Sequence, residues 1–80
     1  MAVLVLDVPI PAWNNVVFQA AMLGLDLVPD DHRETGNTVV EITGTWEKLN
    51  QVLTRIRARE SKQLIELLTV MEFKSLDTLG

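Results

Sequence analysis

Ala2-Val3-Leu4-Val5-Leu6-Asp7-Val8-Pro9-Ile10-Pro11 is the stretch on which the reading of this chain turns. From Ala2 to Val8 it is almost continuously apolar and rich in valine. Such a run fits a strand buried on both faces, in the middle of a sheet. Pro9 and Pro11 then stop it, because a locked φ and a missing N–H break a regular ladder. Pro11 also suits the first turn of a helix, where its N–H would have no partner in any case. Trp13, Val16, Val17, Ala20 and Ala21 follow at helical spacing, and Phe18, Met22 and Leu23 widen the apolar stripe. Gly24 tolerates the left-handed conformation that closes such a helix.

Working outward, Leu25-Asp26-Leu27-Val28 reads as a short strand. Pro29 and the polar run from Asp30 to Asn37 form a connection, with Gly36-Asn37 as its turn signal. Thr38-Val39-Val40-Glu41-Ile42-Thr43 is a β-branched strand stopped by Gly44. The connection is too short for a crossover, so the two strands form an antiparallel hairpin. Thr45 is placed to cap a second helix, with Glu47 in its first turn. Its apolar stripe is Trp46, Leu49, Val52, Leu53 and Ile56, and it ends near Arg59. Ser61 is placed to cap a short further helix through residues 63–65. A closing strand is expected over residues 67–73, where Thr69, Met71 and Phe73 alternate.

The order β-α-β-β-α-β defines one α+β domain over residues 1–80, a ferredoxin-like sandwich with an antiparallel sheet and both helices on one face. Side chains alternate across a strand. Leu4, Leu6 and Val8 should then face the helices together with Val40 and Ile42. Val3, Val5 and Asp7 should face the other way with Val39, Glu41 and Thr43. The closing strand would add either Leu68 and Val70 or Met71 and Phe73 to this second face. The expected result is a largely apolar open surface, of the kind usually covered by an identical subunit. Two alternatives stay open: the opposite register, or a C-terminal helix folded over that face.

The 80 residues are 48% apolar and 22% charged, a globular composition, with a formal net charge of -4. An acidic chain argues against a nucleic-acid partner, since phosphate contacts supply most of that affinity. Arg55, Arg57, Arg59 and Lys62 are nevertheless close together, where they complement the end of the second helix. No cysteine is present, which excludes disulfides, thiolate ligands and a cysteine nucleophile. No apolar run reaches membrane-spanning length, and the N-terminal run lacks the features of a secretory leader. A cytoplasmic location is the expectation. His32, in Asp30-Asp31-His32-Arg33-Glu34, lacks the ligand spacing of a metal site and reads as a solvated hairpin tip. Neither a metal nor another cofactor is expected, and no catalytic motif occurs.

Asp7 is the most informative polar residue. It ends a central strand just before a turn into a helix, where ligands of α/β folds often lie. Trp13, Asn14 and Asn15 follow on the first helical turn. The strand ending Asp7-Val8-Pro9, the helix end Met22-Leu23-Gly24-Leu25-Asp26-Leu27 and the strand Val39-Val40-Glu41-Ile42-Thr43-Gly44 resemble the ACT group of small regulatory domains. That resemblance extends to about residue 60. It implies pairing through the sheets and an amino acid or similar effector at the interface, bound around Asp7, Pro9, Ile10 and Asn14. The usual glycine after the loop proline is replaced here by Ile10-Pro11. The functional expectation is a non-enzymatic, self-associating regulatory or assembly module. The alternative is a small dimeric enzyme with its cavity between sheet and partner, using Asp7, Glu41 or Glu72.

Overall fold

The computed structural model describes residues 1–32 and 37–76, with the side chains of residues 30–32 left aside. Ala2–Val8 form β1, a 3₁₀ turn spans Ile10–Ala12, and Trp13–Met22 form α1. Asp26–His32 form β2, Thr38–Gly44 form β3 and Trp46–Arg59 form α2. The short helix α3 covers Lys62–Leu67, and β4 covers Thr69–Ser75. The sheet is antiparallel throughout, in the order β2-β3-β1-β4. That order, with α1 and α2 on one side, is compatible with the ferredoxin-like sandwich expected from the sequence.

The central placement of β1 and β3 follows from their composition. Leu4, Leu6, Val8, Val40 and Ile42 are all buried and pack against Val16 and Ala20 of α1 and Leu49, Val52 and Ile56 of α2. Each such side chain contributes roughly 1.5–3 kcal/mol by leaving water. These five side chains thus form the helix-facing side of β1 and β3.

Local signals set the helix ends. Gly24 has φ +68°, and Gly24 N–H and Leu25 N–H donate to Ala21 O and Ala20 O. This closes α1 with a left-handed cap that satisfies two orphan carbonyls. The Thr45 hydroxyl accepts from Lys48 N–H at the start of α2, and the Ser61 hydroxyl accepts from Leu64 N–H at the start of α3. Between those two helices Glu60 is extended, which ends α2.

Four expectations need correction. Pro11 lies in the 3₁₀ turn, and the α-helix begins two residues later at Trp13. The buried side of α1 is Val16, Gln19 and Ala20, while Val17, Phe18, Ala21 and Met22 are exposed. The helix is rotated from the apolar stripe because Gln19 bonds under α2, as described below. β2 runs on to His32, past Pro29, with a bulge between Pro29 and Asp31. His32 is thus a strand residue opposite Thr38, while Gly36 of the expected turn lies outside the described residues. The closing strand starts at Thr69 because α3 takes up Leu67.

Candidate functional site

The open face of the sheet follows from the strand registers. Val3 lies between Thr43 and Lys74, Val5 between Glu41 and Glu72, and Asp7 between Val39 and Thr69. On β2, Asp26 and Val28 continue the first two rows. The expected β4 contribution is absent. Leu6 pairs with Val70 and Leu4 with Phe73, so both Val70 and Phe73 lie on the helix side. A bulge at Met71 makes this possible, since one extra residue inverts the alternation. Thr69, Glu72 and Lys74 are left to the open face.

The surface is consequently less apolar than the sequence pattern suggested. Val3 and Val39 are only 6% and 5% exposed within the single chain. Asp7, Asp26, Glu41 and Glu72 surround the valines, with Lys74 as the counter-charge on β4. Stacking two such faces would press carboxylates against carboxylates, a desolvation and repulsion cost. Glu41 and Glu72 flank Val5 two strand spacings apart, roughly 10 Å between backbones.

The residues expected to hold an effector are divided by the sheet. Asp7 belongs to the open face, and its Oδ1 is buried with no hydrogen-bond partner among the described residues. Pro9 is buried, and its carbonyl accepts from Ala12 N–H at 3.0 Å. Ile10 is 66% exposed in the 3₁₀ turn. Asn14 is exposed on α1, in the helix layer. Thus Asp7 and Asn14 are on opposite sides of the sheet.

Sequence reasoning missed a polar chain between the helices. Asn15 Nδ2 donates to Ile56 O and Glu60 Oε2, and Gln19 Nε2 donates to Asn15 Oδ1. Arg55 Nε donates to Gln19 Oε1 at 2.9 Å. Gln19 is fully buried, and both ends of its amide are satisfied, as a buried amide requires. Its only sequence signal is its place beside Ala20 and one turn after Val16. Arg55 also borders an open groove of about 300 Å³ with Asn50, Gln51 and Thr54. Arg57 and Arg59 occupy the last turn of α2, as the dipole argument anticipates.

β4 is largely exposed. Every residue from Thr69 to Ser75 is exposed except Phe73, which is half-buried. Its ring stacks on Trp46 with centroids 4.1 Å apart and 27° between planes. Trp46 itself remains 48% exposed, and Leu67, Met71 and Leu76 are similarly open around this strand. Among the described residues no group of acidic or histidine side chains could hold a metal ion, and no helix is long and apolar enough to cross a membrane. No family model, curated protein or solved structure matches this chain.

Proposed function

We propose that this chain is a ferredoxin-like, non-enzymatic module that associates with itself and serves in regulation or assembly. The observation that carries the proposal is the uncovered margin at β4. Met1, Trp46, Leu67, Val70, Met71 and Leu76 are six of the eleven large apolar side chains exposed among the described residues, and all lie on or beside this strand. An apolar margin along an edge strand is a standing template for another chain. The test is the solution mass by light scattering over a range of concentrations. Association gives twice the 9.0 kDa chain mass, and a strict monomer refutes the reading.

A second observation favours a small effector. Asp7 Oδ1 is a buried acceptor without a donor among the described residues, on a side chain that is itself only partly buried. A ligand carrying an ammonium or amide N–H would meet that need, in keeping with the ACT-like pattern around Asp7. Amino acids should raise the melting temperature of the native chain and not of Asp7→Asn. Equal shifts in the two proteins would remove Asp7 from the site.

A further inference from the structure

The β4 edge carries enough information to name both its partner and its register. Ala2 pairs with Ser75, and Leu76 N–H donates to Met1 O at 3.0 Å. Hydrogen-bonded and non-hydrogen-bonded pairs alternate along an antiparallel ladder. Lys74 and Glu72 therefore direct their backbone groups towards β1. Phe73, opposite Leu4, directs its N–H and C=O to the outer edge. A second strand can bond there only if its own outward-directed residues align with Phe73.

Two copies of β4 related by a two-fold axis satisfy that condition in three registers near the strand centre. Centring on Glu72 sets Glu72 against the partner subunit's Glu72. Centring on Lys74 sets two ammonium groups face to face. Like charges directly opposite are destabilising. Centring on Phe73 sets Glu72 opposite the partner subunit's Lys74, and Lys74 opposite the partner subunit's Glu72. Both side chains are on the open face and about half exposed, and within one chain they already pair, Lys74 Nζ to Glu72 Oε1, at 3.2 Å. On the helix side the same register brings the two Phe73 rings together, each backed by its own Trp46.

We infer that β4 is the self-association edge, joining two copies antiparallel about Phe73 into one continuous eight-stranded sheet. This rests on the self-association proposed above and deepens it. The pairing is centred on Glu72, Phe73 and Lys74, because the Met71 bulge ends the regular strand on one side. The two open faces lie side by side and are not stacked, so Asp26 and Glu41 of one copy are not pressed against those of the other.

Charge reversal tests the register, since Glu72 and Lys74 are exposed and their loss leaves the core intact. Glu72→Lys and Lys74→Glu should each weaken dimerisation about thirtyfold, two cross-strand attractions becoming two repulsions. The doubly exchanged chain, E72K with K74E, restores the opposite-charge pairing and should return to within a few-fold of the native affinity. Circular dichroism confirms folding of all three variants, and light scattering against concentration gives their dissociation constants. A dimer indifferent to the single reversals, or one that the double exchange does not rescue, overturns the Phe73-centred edge and leaves self-association standing. A native chain that stays monomeric at every concentration overturns both.

Discussion

The two margins of this sheet, β2 and β4, are built on opposite rules. β2 holds Pro29, Asp26, Asp30 and Asp31 within Asp26–His32, and it is bulged between Pro29 and Asp31. Proline, charge and bulges are the usual means of preventing an edge from recruiting another strand. β4 has no proline, and its one bulge lies towards its start, so Glu72 to Ser75 stays regular. It also carries an aromatic stack at Phe73, whose backbone groups are directed outward. One edge carries features that discourage pairing and the other lacks them, so the proposed association through edges would stop at two copies. A chain with two open edges would extend into fibres.

That asymmetry can be broken in a graded series. The largest effect is expected from Phe73→Ala, which removes the Trp46 stack and the centre of the proposed interface. Urea unfolding should show a loss of about 2 kcal/mol, below the range for a fully buried phenylalanine because Phe73 is only half-buried. The same truncation on the other edge, Val28→Ala, acts on a side chain that is 57% exposed and should cost less than about 0.5 kcal/mol. Equal losses at the two positions would contradict the contrast.

Opening the closed edge is the converse manipulation. Pro29→Val should convert a discrete dimer into concentration-dependent larger species, followed by light scattering, with little change in unfolding midpoint. An unchanged dimer mass would show that the aspartates and the bulge alone suffice to close β2. The smallest signal is in hydrogen exchange. The Phe73 amide should exchange slowly at high protein concentration and fast on dilution, whereas the outward amides of β2 stay fast at both. Protection at β2 that rises with concentration would place the interface on the wrong edge.

Legibility along the sequence varied for physical reasons. The apolar run of β1, the β-branched run of β3 and the capped helix α2 were readable because local propensity, pattern and burial agree there. The Gly24 cap was readable because a single positive φ demands it. α1 was misjudged because its apolar residues encircle most of the helix, so the pattern does not say which side turns inward. Gln19 decides that side, through Arg55, a residue 36 positions later. β2 was read too short because Pro29 and the aspartates are genuine turn signals, overridden by pairing with Val39 and Thr38. Of the candidate site, the alternation along β1 gives Asp7 its side of the sheet, but the burial of its Oδ1 and its separation from Asn14 by the sheet depend on tertiary packing.

The amino-acid order by itself determined an antiparallel α+β domain with β1 and β3 inside, because uninterrupted valine-rich runs have no stable place at a water-facing margin. Only the tertiary structure decided which side chains of β4 look outward. A bulge adds one residue opposite none, and that inversion arises from how two strands are matched in space, which no alternation within a single strand can record.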